Sequence, residues 1–204
     1  MQEWIFIFVS LLIGIILPTF VLFFLISLLF SAIAGAPYVP APRKLIKNVL
    51  IFGGLTSDDV LFDLGCGDGR VLISGAQNFN VKKAIGYDIA FWPFLKAFFG
   101  VSYLGLNKNI KIIRKNCVLA DIGDATFIFL YLFPKLVDQI AYKIAAETKN
   151  GIKILSLGFP INTEKHPEFI IIKFQKLENL IAYLYEIKKP LRVLNEEHAQ
   201  RFES

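Results

Sequence analysis

From Ile5 to Phe30 the chain runs for about 26 residues without a charged side chain, longer than the roughly 20 residues an α-helix needs to cross a bilayer's hydrocarbon. In lipid, an isolated span must satisfy its own backbone N–H and C=O groups, so this stretch is predicted to be a transmembrane helix. Trp4 stands where an interfacial aromatic belongs, and a mid-span proline such as Pro18 is tolerated in membrane helices. Ala32-Ile33-Ala34 looks like a signal-peptidase site. Against cleavage, Met1-Gln2-Glu3-Trp4 has no positive charge, and the apolar run far exceeds the roughly 7–15 residues of a signal core. The expectation is a retained anchor over residues 1–34.

Glu3 is the only charged residue before Arg43, and Arg43, Lys44 and Lys47 come soon after the apolar run. That asymmetry predicts that the rest of the chain lies on the cytoplasmic side. The whole chain is 55% hydrophobic and 19% charged, too apolar for an ordinary soluble domain and too charged for a polytopic membrane protein. The chain beyond the anchor has the size of one domain with its own core. The formal charge of +5 suits an anionic membrane face; the lysines are scattered, and no nucleic-acid partner is expected. Cys66 and Cys117 form no metal-ligand or disulfide pattern.

Residues 35–54 read as a stiff linker, Gly35 to Pro42 (GAPYVPAP), and a short helix from Arg43 to Phe52. Residues 55–190 then alternate strand and helix, the mark of an α/β fold with a parallel sheet. Strands are predicted at Val60–Asp63, Lys83–Asp88, Ile110–Arg114, Ala125–Tyr131 and Ile152–Phe159. Helices fall at Arg70–Asn78, Phe91–Leu104 and from Pro134 to about Lys149. Phe169–Gln175 and Leu180–Ile187 close the sheet around a turn at Lys176–Asn179, giving seven strands with the last pair antiparallel. Residues 191–204 read as a polar tail. The helix from Phe91 to Leu104 is apolar nearly all round, so its outer face needs a cover: the protein's own loops, the membrane surface or the anchor. His166 and His198 are read as surface residues.

The densest chemical signal is Asp63-Leu64-Gly65-Cys66-Gly67-Asp68-Gly69-Arg70, between a strand and a helix. Glycines there let the backbone approach a ligand, and the carboxyl end of the first strand is where doubly wound sheets bind one. Arg70 occupies the third-glycine position of the dinucleotide fingerprint and so breaks it. Asp63 and Asp68 would repel a pyrophosphate but suit S-adenosylmethionine, with its ammonium and sulfonium. Asp88, ending the second strand, can accept both ribose hydroxyls.

These residues resemble the class I S-adenosylmethionine-dependent methyltransferases over Leu55 to Ile187. The resemblance implies a Rossmann-like, seven-stranded methyltransferase sheet, here preceded by one transmembrane helix. It implies a cofactor site with Asp63, Gly65, Gly67 and Gly69 around the methionine part, Asp88 on the ribose and Asn116 at the adenine, with Cys66 and Asp68 of the same loop also cofactor-binding; Asn116 also reads as a turn residue. A narrower similarity joins Pro37-Tyr38-Val39-Pro40, the glycine loop and Phe129-Leu130-Tyr131-Leu132-Phe133-Pro134. In that order they resemble the small membrane-anchored lysine methyltransferases of the ATP synthase c subunit and the adenine nucleotide translocase, with their prokaryotic relatives. There the PYVP stretch is a pre-domain motif needed for activity. This chain departs from the group at Ala41 and at Asn162-Thr163, after Phe159-Pro160-Ile161.

The expected function is therefore N-methylation of a lysine on a membrane protein, with Tyr131 and Tyr38 as candidates to orient the acceptor nitrogen. A structural role remains open for both tyrosines. Alternatives are methylation of a small molecule or lipid, or an anchored cofactor-binding scaffold without turnover; a dinucleotide oxidoreductase ranks last. The expected location is a prokaryotic plasma membrane, with the mitochondrial inner membrane as the alternative.

Overall fold

Leu61 and Phe62 are adjacent and both buried, yet they belong to two different cores. The computed structural model describes residues 2–33 and 39–189. In chain order its elements are α1 (Gln2–Ile33), α2 (Arg43–Gly53), β1 (Val60–Leu64), α3 (Arg70–Phe79), β2 (Lys83–Asp88), α4 (Phe91–Tyr103), β3 (Ile110–Arg114), β4 (Phe127–Leu130), α5 (Pro134–Glu147), β5 (Lys153–Leu157), β6 (Phe169–Leu177) and β7 (Leu180–Ile187). Seven strands form one sheet in the order β3-β2-β1-β4-β5-β7-β6. The first five are parallel, and β7 runs antiparallel to both β5 and β6.

Side chains alternate faces along a strand, and helices cover both faces of this sheet. Leu61, Phe127 and Phe129 pack with Leu45 and Val49 of α2 and Leu72 of α3. Phe62, Leu64, Ile128 and Leu130 pack with Ile140 and Ile144 of α5. Gly53 sits so close to the sheet that a Cβ there would come within 2.7 Å of Leu155 and Phe127. Helix α2 is thereby docked directly over the β4–β5 seam.

Most boundaries shift by a residue or two from the sequence reading, and three of the differences have a clear local reason. Strand β5 ends at Leu157 rather than Phe159, because Gly158 turns the chain at φ +87. Strand β4 is shorter than expected, since the Ala125 N–H donates to the Ile122 carbonyl in a preceding turn. The β6–β7 turn is tighter: Lys176 and Leu177 still pair with Ile181 and Leu180, and Glu178 takes φ +52.

His166 is not a surface residue. It is 1% exposed, with Nε2 3.0 Å from Asp138 Oδ1 on α5 and its ring edge-on to Tyr142. Asn162 folds the loop back by accepting the backbone N–H groups of Glu164 and Lys165 on its side chain. His198, Tyr38 and the tail 191–204 lie outside the described residues.

Helix α1 carries no buried residue from Gln2 to Ile26 and is long and apolar enough to cross a membrane. It touches the rest of the chain at α4: Phe20, Phe23 and Phe24 pack around Trp92, and Phe23 also meets Phe91 edge-on at 5.5 Å. Helix α1 thus covers the first turn of α4. Farther along, Phe98, Phe99 and Tyr103 remain exposed.

Candidate functional site

Strand order reverses between β1 and β4, and the loops after these strands part to leave a crevice at their carboxyl ends. A cavity of about 290 Å³ fills it. Asp63, Gly65, Cys66, Gly67 and Asp68 line the cavity after β1, Asp88 at the end of β2, Asn116 after β3, and Tyr131 after β4. Of the residues singled out from the sequence and described in the structure, only Gly69 is missing from that wall. It starts α3 at φ +75, where a Cβ would lie 3.1 Å from the Ala97 Cβ, so it serves the packing of α3 on α4.

The loop's shape comes from its glycines. Gly65 and Gly67 take φ +86 and +55, a region that residues with a Cβ rarely enter. A Cβ on Gly65 would also sit 2.6 Å from Leu132. Backbone therefore borders the cavity where side chains would otherwise fill it. Asp88 pins the loop: its Oδ2 accepts the Gly67 N–H at 2.7 Å and its Oδ1 the Ala90 N–H at 2.8 Å. Each oxygen keeps a further acceptor position, since a carboxylate offers about four.

Burial raises the pKa of Asp63 well above 3.8, with the charges of Asp88 and Asp68 adding to the shift. Burial also raises the Asp88 carboxyl, opposed by its two backbone hydrogen bonds. Both shifts mark carboxylates whose ionised form is costly in this desolvated pocket, so a cationic occupant, which stabilises that form, is favoured there. Cys66 is no nucleophile: burial, then Asp63 and Asp88, push its thiol up, whereas reactivity needs the thiolate. It packs against Gly86 of β2, where any Cβ would come within 2.7 Å of its sulfur.

Sequence reasoning missed the role of Arg70. Its Nε and Nη2 grip the two Asp68 oxygens at 2.7 and 2.5 Å, and its Nη1 donates to the Ala41 carbonyl at 2.6 Å. That contact spans 29 residues and brings Val39, Pro40 and Ala41 into the cavity wall. Nothing in the local spacing points to it. On the opposite side, Tyr131 packs near Gly158, and Phe133 faces Phe159 with ring centroids 6.1 Å apart. Asn116 has two jobs in one place: its Oδ1 caps the turn at Val118 at 3.0 Å while the residue borders the cavity.

The residues present fit S-adenosylmethionine: a glycine cradle closed to side chains, a carboxylate cluster for its positive charges, and a braced Asp88 for ribose hydroxyls. Comparisons with known proteins agree. A family model described as the ANTKMT methyltransferase domain matches residues 63–168. The chain is 32% identical over 157 residues to a protein-lysine N-methyltransferase of Saccharolobus islandicus (strain REY15A), covering 77% of this chain and 97% of that protein. It is 28% identical over 128 residues to the adenine nucleotide translocase lysine N-methyltransferase of Mus musculus, covering 62% of this chain but only 55% of that one. Among solved structures, an RNA methyltransferase from Salinibacter ruber in complex with S-adenosyl-L-homocysteine has the same fold. Its TM-score is 0.69 at 24% identity, over 78% of this chain and 100% of that chain.

Proposed function

Because the chain belongs to the family of the ANTKMT methyltransferase domain, and so is an S-adenosylmethionine-dependent methyltransferase, we propose that its acceptor is a lysine Nζ of a membrane protein. The observation that carries this reading is one cavity with two unlike sides. Carboxylates gather at the carboxyl ends of β1 and β2, while Tyr131, Phe133 and Phe159 gather after β4 and β5. The first side suits the cationic donor and the second an alkylamine chain, whose methylenes pack on aromatic rings and whose nitrogen is drawn to their faces.

When bound, the cofactor would supply an electrophilic methyl on sulfur to a neutral amine, the C–S electron pair staying on sulfur and the nitrogen giving up a proton. The protein's work is alignment and exclusion of water. Asp88 holds ribose hydroxyls. Asp63, with backbone at Gly65 and Gly67, encloses the methionine end. Cys66 contributes its backbone and small volume to that wall. Asp68 acts through Arg70 by fixing the loop. Gly69 lets α3 sit close enough to keep it there. Asn116 offers its amide to the adenine. The Tyr131 hydroxyl orients the acceptor nitrogen, and Tyr38, next in the chain to the cavity-lining Val39, is the second candidate for that task.

Anchor helix α1 places this site beside its target. Confinement to one membrane raises the effective concentration of a membrane-embedded acceptor without any new contact. Exposed Arg43, Lys44 and Lys47 favour the cytoplasmic side. The relatives support the same reading, since one of them is named for the adenine nucleotide translocase.

The test is radiolabelled methyl transfer from S-adenosylmethionine into native membranes and into a lipid extract of them. Label on a membrane protein, at lysine by peptide mass, is expected. Label confined to lipid or to small molecules would overturn the acceptor assignment. Tight cofactor binding with no label in any fraction would leave a binding scaffold instead.

A further inference from the structure

Helix α4 turns an apolar face outward, and the structure indicates what covers it. One side of the helix, Pro93, Ala97 and Val101, is buried against the domain. At 3.6 residues per turn, the opposite side carries Phe91, Trp92, Leu95, Phe98, Phe99 and Tyr103. Anchor residues Phe20, Phe23 and Phe24 cover only the first two. Beyond them Phe98, Phe99 and Tyr103 are 48%, 64% and 92% exposed. That is a continuous apolar strip leading away from a helix able to span a bilayer.

Depth is set by helical rise. Phe20 to Phe24 lie roughly 9–15 Å before Phe30, the end of the uncharged run, at 1.5 Å per residue. The run itself is about 39 Å long at that rise, against about 30 Å of bilayer hydrocarbon. Whichever 30 Å of it is immersed, the ring contacts with Trp92 fall at the hydrocarbon boundary or inside it. The start of α4 therefore reaches the same layer.

Charge agrees. Between Asp88 and Asp121 the chain has no acidic residue but carries Lys96, Lys108, Lys111, Arg114 and Lys115. All five are exposed, and the Arg114 guanidinium lies 5.2 Å from the Phe91 ring centroid, beside the anchor contact. Lys96 on α4 and Arg114 beside Phe91 put basic groups next to the aromatic face, a combination that matches the headgroup layer of an anionic bilayer.

We propose that α4 lies in the membrane interface with Phe98, Phe99 and Tyr103 among the lipids and with Lys96 and Arg114 at the headgroups. The helix starts directly after Asp88 and Ile89 of the cavity wall, so this seating holds the cofactor crevice at the bilayer surface. The inference rests on reading α1 as a membrane anchor and is independent of turnover.

The test uses the full chain in vesicles of phosphatidylcholine and phosphatidylglycerol whose acyl chains are brominated either near the headgroup or near the terminus. A Trp4→Phe/Trp92→Phe/Phe99→Trp variant carries its one indole on the outer face of α4. Tyr103→Trp in the same background repeats the measurement at a position with no packing to disturb. A Trp92→Phe variant keeps only Trp4, which reports the anchor. Loss of emission from the indoles at 99 and 103, greater with shallow than with deep bromines, is expected. A quenched Trp4 with unquenched indoles at 99 and 103 would overturn the seating of α4 and leave the anchor standing. Quenching of none of the three would overturn both. Indoles shielded from bromine in a sedimenting dimer would show that a second copy, not lipid, covers the helix.

Discussion

The Arg70 guanidinium donates to the Ala41 carbonyl at 2.6 Å while its other nitrogens hold Asp68. One side chain thus joins the segment before α2 to the glycine loop. Arg70→Lys keeps the charge but loses the planar fork, so it cannot reach both partners. It is expected to weaken S-adenosylmethionine binding by about 1.5–3 kcal/mol, the range for hydrogen bonds to charged groups, with Val39–Ala41 loosened. Calorimetric titration measures the first effect and protease sensitivity of the segment the second.

Asp88→Ala removes the brace on Gly67 of the loop, the bond to Ala90 and the ribose acceptor together. A loss of about 1.5–3 kcal/mol in cofactor affinity is expected. Gly67→Val should abolish binding outright, since valine is strained at φ +55. Unchanged affinity in both variants would refute the cofactor assignment of this cavity.

Protonation carries an effect of definite sign. The folded pKa of Asp63 is raised above 3.8 by burial, then by Asp88 and Asp68. Without ligand, Asp63 therefore contributes stability that is full below its unfolded value and is lost as pH rises through the folded one. A cationic ligand prefers the ionised carboxylate, so affinity falls as pH drops through the same window and binding there releases a proton. Thermal unfolding with and without cofactor should show opposite trends across that window. Parallel trends would rule out Asp63 as a partner of the ligand's charge.

Tyr131→Phe keeps the ring beside Gly158 and removes only the hydroxyl. Cofactor affinity should be unchanged, while turnover falls by roughly 10- to 100-fold, the scale of a lost positioning contact. A variant with full activity would make Tyr131 a packing residue.

His166 offers a check on the fold away from the site. Its ring is buried among Tyr142, Phe169 and Asp138. His166→Ala opens a cavity under α5 and should lower the unfolding temperature without changing cofactor affinity. A selective loss of affinity would tie this loop to the site instead.

How much of the molecule is legible in its sequence depends on the range of the forces involved. The long apolar helix, the strand–helix alternation, the glycine loop and Asp88 are local patterns. An uncharged run, a two-residue period and a turn that only glycine can make are each readable within a short stretch of chain. Local pattern alone therefore dictates a strand–loop–helix with carboxylates at its mouth, and hence the class of cofactor.

Folding at long range settles whatever depends on partners far along the chain. His166 looks like a loop residue until Asn162 turns the chain and α5 presents Asp138. Arg70 looks like a broken fingerprint until folding brings Ala41, 29 residues earlier, within 2.6 Å. Gly69 reads as a ligand contact, but the approach of Ala97 on α4 makes it a packing position. The outer face of α4 needed a cover on sequence grounds, and only the fold supplied Phe20, Phe23 and Phe24 for its first turn. The physical reason is common to all four. Composition and spacing set which groups must be buried or paired, whereas chain closure over tens of residues selects the partner, and that selection is written in packing geometry.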